Sequence, residues 1–379
     1  MKALVLSGGG SRGSYQIGVW KALRKLHIKI DIVTGTSIGA LNGALIVQNS
    51  YLKALWLWHK IDMNCLFGSD IDMKKNTLKI YSDFLLSKKT IKTKKMEDII
   101  NKAINKKKFY NSKINYGLIT VKANKLKPIS LTKEKIKEDK LAAYLMASAT
   151  FFPVFEKKNI EGDSYIDGGY FDNMPINLAL KLGATSLITV DLKAIGFKRI
   201  TKKNVPTIKI KPNNDLSYFL EFDSKRAKKN MKLGYNDTMK AYKKLEGNKF
   251  TFKKNETEKC FKEYKKLYEY FFNKILSNKE KEFYEKFILK NNKQEKFLKL
   301  MEQVALDIEL DETVIYTYKK FNKKLLKKVH KLIKTNTLNK TIIMFEKMKE
   351  KKYNEVKRLA LINPKIFLTG LYLYILDVE

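Results

Sequence analysis

Short apolar runs alternate with segments of helical apolar spacing along the first half of the chain. Residues 2–7 form a β-rich run, and after a glycine-rich turn Ile17, Trp20, Leu23 and Leu26 recur at helical spacing. The same patterning predicts strands at 31–34, 114–121, 128–131, 164–166, 186–192 and 207–212, and helices that begin near 38 or span 141–148 and 175–182. This alternation predicts an α/β fold, a sandwich whose central sheet is mostly parallel.

The pattern changes after about residue 223. From there the chain is rich in lysine and asparagine and almost free of glycine and proline, the residues that most often interrupt helices. This composition predicts an all-helical region. We therefore predict two domains, an α/β domain over 1–240 and a Lys-rich helical extension over 241–379.

The charge balance adds a class of partner to this picture. Among 379 residues, 77 Lys plus Arg stand against 39 Asp plus Glu, a formal net charge of +38. Such a surplus attracts polyanions, either nucleic acid or an anionic membrane face. The alternative is that lysine has accumulated over a solvated surface. A nucleic-acid partner is disfavoured, because no nucleic-acid motif is present and the lysines are spread along the chain.

Cysteine usage and hydropathy limit the compartment and the chemistry. The two cysteines, Cys65 and Cys260, exclude a disulfide framework and a cysteine-rich metal site. The apolar N-terminal run is too short for a signal peptide, and no run reaches the roughly 18–20 residues that span a bilayer. The longest candidate, 366–376, is expected to be buried in the helical region. The expected location is cytoplasmic, with membrane contact, if any, peripheral at the inner face.

Two glycine motifs follow the first two predicted strands. The sequence GGGSRG at 8–13 satisfies the G-x-G-x-x-G pattern of a dinucleotide-binding turn. That interpretation requires an acidic residue at the end of the second strand, but Asp31 precedes this strand. The strand is closed instead by GTSIG at 35–39. A dinucleotide site is therefore disfavoured.

The second motif fits G-x-S-x-G, a nucleophile elbow in which a strained strand-to-helix turn presents a serine hydroxyl. Ser37 is the candidate nucleophile, and Gly35 and Gly39 leave room where a Cβ atom would collide with the adjacent strand or helix. The alternative is a tight turn with no chemical role. N–H groups of the 8–13 loop and of the following helix N-terminus could stabilise an oxyanion beside the serine.

A serine nucleophile needs a base to remove its proton. The three histidines, His27, His59 and His330, do not lie near a strand end in the later α/β region, which disfavours a Ser–His–Asp triad. Asp167 closes a predicted strand and is followed by two glycines, so it is the candidate base. By itself it would be interpreted as an ordinary turn residue.

The three motifs GGGSRG, GTSIG and DGG in this order resemble those of the patatin-like phospholipase family over roughly residues 1–240. Two further stretches are similar to the family's: ASATFFPVF at 147–155 and DNMP at 172–175. The third motif ends in glycine where many members have alanine. The extension over 241–379 matches no family motif.

The resemblance implies a three-layer patatin-like sandwich and a Ser–Asp dyad that hydrolyses lipid acyl esters without a metal or another cofactor. By position, Ser37 would be the nucleophile and Asp167 the base. The implied oxyanion-hole residues are Gly8, Gly9, Gly10, Ser11, Arg12 and Gly13; the implied elbow residues are Gly35, Thr36, Ile38 and Gly39; the implied acid-motif residues are Gly168 and Gly169. Arg12 could add positive charge to the hole or brace the loop.

The function expected from these observations is hydrolysis of carboxylic esters in phospholipids or lysophospholipids, with release of fatty acids. Two alternatives stay open. One is an esterase for small soluble esters, and the other is a non-catalytic basic protein that binds a membrane or nucleic acid.

Overall fold

The structure is a computed structural model that describes residues 1–67, 77–87, 90–201, 204–284 and 293–378. Within these ranges the chain forms two compact units, Met1–Ala241 and Tyr242–Glu379. Each unit has its own cluster of buried apolar side chains. The candidate motifs all lie in the first unit.

The first unit is built on an eight-stranded sheet with the order β5-β6-β3-β2-β1-β7-β8, and β4 pairs with β3. Neighbours β1–β2, β2–β3, β1–β7 and β7–β8 are parallel, whereas β3–β4, β3–β6 and β5–β6 are antiparallel. The prediction of a mostly parallel sheet is confirmed. The strands are β1 Lys2–Leu6, β2 Ile32–Thr36, β3 Asn115–Lys122, β4 Lys127–Thr132, β5 Lys158–Ile160, β6 Asp163–Asp167, β7 Ser186–Val190 and β8 Thr207–Ile210.

Helices cover both faces of this sheet. Ala3 and Val5 of β1 pack in one cluster with Ala179 on one side. On the other side, the position of Gly43 lies beside Val33 and Leu6. This is the arrangement expected of a parallel sheet, whose strands are apolar on both faces. The described helices of this unit are α1 Ser14–Lys25, α2 Ile38–Val47, α3 Tyr51–Lys60, α4 Met63–Phe67, α5 Thr77–Ser87, α6 Lys94–Ala103, α7 Lys106–Tyr110, α8 Leu141–Ser148, α9 Ile176–Lys181 and α10 Ser224–Ala241.

The second unit is mainly helical, as predicted. Its described helices are α11 Glu256–Ile275, α12 Asn278–Tyr284, α13 Lys293–Asp307, α14 Tyr318–Lys334, α15 Lys340–Lys349, α16 Tyr353–Ile362 and α17 Pro364–Val378. The apolar run 366–376 lies in α17 and is largely buried, as expected. In the part of the chain that the structure describes, no helix is long and apolar enough to span a membrane.

The prediction that this region is all-helical is wrong in one place. A small sheet joins β9 Leu245–Glu246, β10 Thr251–Lys253 and β11 Ile315–Tyr316 in the order β11-β10-β9. Phe252 and Tyr316 on these strands are fully buried. Strands of two or three residues are too short to show an alternating pattern within a lysine-rich sequence, and β11 is brought in from far along the chain.

Candidate active site

Ser37 occupies a strained turn between β2 and α2. Its φ is 56° and its ψ is −129°, a conformation that non-glycine residues rarely adopt. The Ser37 N–H donates to Oγ of Ser148 at 3.0 Å, and that hydroxyl donates to the carbonyl of Ile119 at 2.7 Å. The Ser37 carbonyl accepts the N–H of Ala40 at 2.8 Å. These contacts hold the turn in place at the carboxyl end of the sheet.

The two glycines of the motif are required by close backbone contacts. A Cβ atom on Gly35 would lie 2.3 Å from the carbonyl oxygen of Gly39. A Cβ atom on Gly39 would lie 2.4 Å from the carbonyl oxygen of Leu6 on β1. Neither backbone atom can move away without disturbing the sheet, so α2 approaches β1 this closely only with glycine at these positions.

The sheet brings Asp167 to Ser37 across 130 positions of sequence. Strand β2 pairs with β3 up to Thr36 opposite Ile119, and β6 pairs with β3 from Asp167 opposite Thr120. Because Ile119 and Thr120 are consecutive, the ends of β2 and β6 lie at the same level on either side of β3. The two side chains line the same cavity, and the Ser37 side chain is near enough to the Asp167 carboxyl to lower its pKa.

The Asp167 carboxylate is buried, with 4% of the residue exposed. Its Oδ1 accepts the N–H of Gly169 at 2.7 Å. Burial raises its pKa from 3.8 to about 6, and the hydrogen bonds from Ser37 and Gly169 partly oppose the rise. The group is therefore ionised at neutral pH, yet more basic than an exposed aspartate, which suits a general base.

Both side chains line a cavity of about 110 Å³. Gly169 of the acid motif also lines it. Gly168 packs against β3 instead, where an added Cβ atom would lie 2.2 Å from the carbonyl oxygen of Ile119. The remaining wall is mostly aromatic and aliphatic, and it includes Phe151, Tyr170, Ile195, Phe197 and Phe219. A nucleophile and a base thus face an apolar space.

The glycine loop approaches this cavity with its backbone. Gly8 and Gly9 line it. The Gly8 N–H is already engaged, because it donates to the carbonyl and to Oδ1 of Asn173, each at 3.1 Å. For the N–H groups of Gly9 and Gly10 no acceptor is found among the described residues. Of these two residues with a free N–H group, Gly9 lines the cavity.

Ser11, Arg12 and Gly13 do not line the cavity and instead fix the loop. The hydroxyl of Ser11 donates to the carbonyl of Tyr218 at 2.8 Å. The guanidinium of Arg12 donates to the carbonyls of Ser217 at 2.9 Å and Lys193 at 3.2 Å. Burial lowers the pKa of Arg12, which Asp215 partly opposes. Of the two roles open for Arg12, its contacts match bracing.

The sequence of much of the first unit matches a known protein family. The sequence model of the patatin-like phospholipase family matches residues 4–180. Residues 4–180 belong to the patatin-like phospholipase family. The matched segment contains all three motifs, and it includes the strands that place Ser37 beside Asp167. The prediction of a patatin-like fold for this part of the chain is confirmed.

Several curated relatives carry the same kind of domain. Lysophospholipase nte1 of Aspergillus terreus (strain NIH 2624 / FGSC A1156) is 30% identical over 195 residues, 51% of this chain and 12% of its own length. Patatin-like phospholipase domain-containing protein 7 of Rattus norvegicus is 29% identical over 202 residues, 50% of this chain and 13% of its own. Patatin-like phospholipase domain-containing protein 6 of Homo sapiens is 28% identical over 199 residues, with 50% and 13% covered. The alignments thus span only a small part of these relatives.

One solved structure covers most of the chain at low similarity. The crystal structure of VipD from Legionella pneumophila has 14% sequence identity and a TM-score of 0.39, with 98% of this chain and 87% of that chain covered. A TM-score this low does not indicate a shared fold for the second unit.

Two positions of the patatin-like domain contribute to the site without an identified role at the sequence level. Ser148 holds the backbone N–H of Ser37, and Asn173 engages Gly8. Both belong to the accessory stretches at 147–155 and 172–175. Spacing alone could not assign these contacts, because each depends on which backbone group the fold places opposite the side chain.

No histidine is among the described residues that line the cavity of the patatin-like domain. His27 lies just past the end of α1, and His59 lies within α3. In the second unit, Nε2 of His330 lies 2.8 Å from Oδ1 of Asp377. The acidic side chain that lines the cavity with Ser37 is that of Asp167.

Replacing Gly39 with alanine is expected to lower the free energy of unfolding by about 3 kcal/mol, the upper end of typical overpacking costs. The new Cβ atom would lie 2.4 Å from the Leu6 carbonyl, so α2 must shift from β1. The measurement is urea unfolding followed by circular dichroism. Gly162→Ala is the control, because Gly162 has φ +85° but no atom within 4 Å of the added Cβ; its loss should be only about 1 kcal/mol. Equal losses for the two variants would contradict the steric account.

Proposed function

We propose that this protein is a Ser–Asp dyad hydrolase of lipid acyl esters, which cleaves phospholipids or lysophospholipids and releases fatty acids. The observation that carries the proposal is that Ser37, on its strained turn, and the buried Asp167 line one largely apolar cavity, with Ser37 near enough to lower the Asp167 pKa. Family membership supports the reaction class. The largely apolar wall, which includes Phe151, Phe197 and Phe219, supports an acyl chain as the group that enters.

In the first step, Oγ of Ser37 attacks the ester carbonyl carbon while the Asp167 carboxylate accepts the hydroxyl proton. The raised pKa of about 6 makes this proton transfer easier than for an ordinary aspartate. The carbonyl oxygen becomes an oxyanion, and we take the free N–H groups of Gly9 and Gly10 as the donors that stabilise it. Loss of one such donor typically raises the activation barrier by about 3 kcal/mol. The protonated Asp167 then gives its proton to the leaving alcohol oxygen.

In the second step, a water molecule attacks the acyl-enzyme carbonyl and Asp167 accepts the proton of this water. The C–O bond to Ser37 breaks, the proton returns to Oγ, and a fatty acid leaves. Both steps use the same carboxylate, so one group serves as base and acid in turn. The strained turn keeps Oγ in the same place through both steps.

Contact with an anionic membrane surface is part of the proposal. The second unit carries a strongly basic helix, α14, that directs apolar residues such as Phe321 and Leu325 inward. Its exposed lysines are Lys319, Lys320, Lys323, Lys324, Lys327, Lys331 and Lys334. Together with the net charge of +38, this helix supports electrostatic attraction to anionic headgroups.

The small cavity favours a second candidate, an esterase for short soluble esters, because 110 Å³ admits a short acyl group as it stands. Hydrolysis of p-nitrophenyl esters of increasing chain length, beside phospholipid and lysophospholipid vesicles, separates the two. We expect long-chain and vesicle substrates to give the higher kcat/KM, with fatty acid detected by mass spectrometry. Activity confined to acetyl and butyryl esters would replace lipid hydrolysis with the second candidate.

A further inference from the structure

The loop between β7 and β8 exposes large apolar side chains beside the cavity. Ile195 is 61% exposed, Phe197 is 70% exposed and Ile200 is 91% exposed. Ile195 and Phe197 also line the cavity, so they form part of its rim. We name residues 193–200 the rim loop. Apolar groups of this size in water at the edge of a site indicate a surface that is covered during function.

The backbone of the rim loop is fixed to the patatin-like domain. The Phe197 N–H donates to the carbonyl of Gly169 at 3.0 Å, and the Asn173 N–H donates to the carbonyl of Phe197 at 2.5 Å. Arg12 donates to the carbonyl of Lys193. Gly196, at φ +151°, lies against Asn173, where a Cβ atom would come within 2.8 Å. The apolar side chains are therefore presented from a defined backbone, next to the segment that follows Asp167.

The charge of the rim loop selects the kind of surface that covers it. Its sequence, KAIGFKRI, combines three cationic residues with apolar ones and contains no carboxylate. Lys198 is paired with Asp191 at 2.7 Å, and Arg199 lies over the ring of Phe171 at 3.9 Å. Lys193 is exposed. Basic residues beside exposed apolar ones match the boundary between headgroups and acyl chains of a bilayer.

The cavity is too small to enclose a whole lipid substrate, so part of the substrate has to lie against the rim loop. A volume of about 110 Å³ is well below the roughly 300–1,000 Å³ of pockets that enclose a whole drug-sized ligand. This space holds the ester and a few carbon atoms, but not a long acyl chain. The rest of a lipid substrate therefore has to lie across the rim, where Ile195 and Phe197 are exposed.

We propose that the rim loop is the docking surface by which this protein inserts into lipid bilayers that contain anionic headgroups. Ile195, Phe197 and Ile200 enter the acyl-chain boundary, and Lys193 and Arg199 face the headgroup phosphates, while Lys198 keeps its ion pair with Asp191. The cavity mouth then opens onto the membrane, so an ester reaches Ser37 without crossing water. This inference rests on the proposed lipid hydrolase function and names the surface that recognises its substrate.

The test is flotation of the full chain with vesicles of phosphatidylcholine with or without phosphatidylglycerol. All proteins carry Ser37→Ala, so that no hydrolysis changes the vesicles. The loop variant combines Ile195→Ser, Phe197→Ser and Ile200→Ser. The matched control combines Leu52→Ser, Leu86→Ser and Leu126→Ser, which are 78%, 81% and 72% exposed elsewhere in the same unit. Thermal unfolding verifies that both variants are folded.

We expect the loop variant to bind phosphatidylglycerol-containing vesicles about 100-fold more weakly than the parent, since three side chains lose their burial in lipid. The control variant should bind within about twofold of the parent, as expected of scattered exposed residues. Parental binding should weaken without phosphatidylglycerol and in high salt. Equal binding by the loop variant and the parent, equal losses in both variants, or no vesicle binding by the parent would each overturn the inference.

This test is separate from the test of the proposed function. Binding is measured without the nucleophile, so a protein that hydrolyses no lipid can still confirm or refute the docking surface. Conversely, an active hydrolase whose rim loop variant binds vesicles like its parent retains the proposed function and loses this inference.

Discussion

Ser37→Ala is expected to lower kcat/KM for a lipid ester by at least about 10⁴-fold, because no other group can form the acyl-enzyme. The hydroxyl removed is the one that shares the cavity with the Asp167 carboxylate. The turn itself is held by backbone contacts to Ser148 and Ala40, which alanine keeps. The fold should therefore survive, with a melting temperature close to that of the wild type.

The measurement is fatty-acid release from lysophospholipid together with thermal unfolding. Ser130→Ala is a matched control, since it makes the same chemical change at an exposed position on β4 and should leave activity unaltered. Activity of Ser37→Ala within tenfold of the wild type, about 1.4 kcal/mol in the barrier, would be too small a loss for a nucleophile.

Asp167→Asn is expected to lower kcat/KM by about 10³-fold or more, in the range found for loss of a general base. An asparagine of the same shape can keep the contact with Gly169, but it cannot accept the Ser37 proton. In the wild type, kcat/KM should rise as pH increases through about 6, because the pKa of Asp167 lies there and only its ionised form is a base. The measurements are the pH–rate profile of the wild type and single-turnover kinetics of the variant.

The same substitution should make the fold more stable at neutral pH. Burial raises the Asp167 pKa from 3.8 to about 6, so the folded state holds its proton more tightly than the unfolded state. The stability from this group is fully present below the unfolded pKa and is lost as pH rises through about 6. A shift of this size corresponds to about 3 kcal/mol, which Asp167→Asn should recover at pH 8 but not at pH 3.

Urea unfolding of both proteins at the two pH values measures this difference. Asp172→Asn is the matched control for activity, because the Asp172 pKa is also raised to about 6 by burial while its carboxylate does not line the cavity. It should keep activity within about tenfold of the wild type, as expected of a residue without a direct role. Equal free energies of unfolding of the wild type and Asp167→Asn at pH 8 would contradict the claim that burial of the ionised Asp167 destabilises the fold.

The sequence predicts those features of the site that depend on a short stretch of neighbouring residues. A serine between glycines at a strand end specifies the turn, because Gly35 and Gly39 are the residues that such a close helix–strand approach allows. The pairing of Ser37 with Asp167 is different, since it depends on β3 lying between β2 and β6. The order of three family motifs predicted that pairing, and no single motif could have done so.

The remaining features depend on contacts that no local pattern records. The Gly8 N–H is occupied by Asn173, which is 165 residues away, so the loop offers the amides of Gly9 and Gly10 instead. The small sheet of the second unit joins β10 and β11 across more than sixty residues. No sequence motif marks the rim loop, and only the fold shows that Phe197 lines the cavity while 70% of it stays exposed.

The most direct test of the dyad is labelling with a fluorophosphonate, followed by mapping of the modified peptide. We predict that Ser37 of the wild type is labelled and that Asp167→Asn reacts far more slowly. Labelling of the wild type should accelerate as pH rises through about 6, because the pKa of Asp167 lies there. A wild-type protein that is not labelled, is labelled at another serine, or reacts at the same rate with asparagine at position 167 would contradict the dyad.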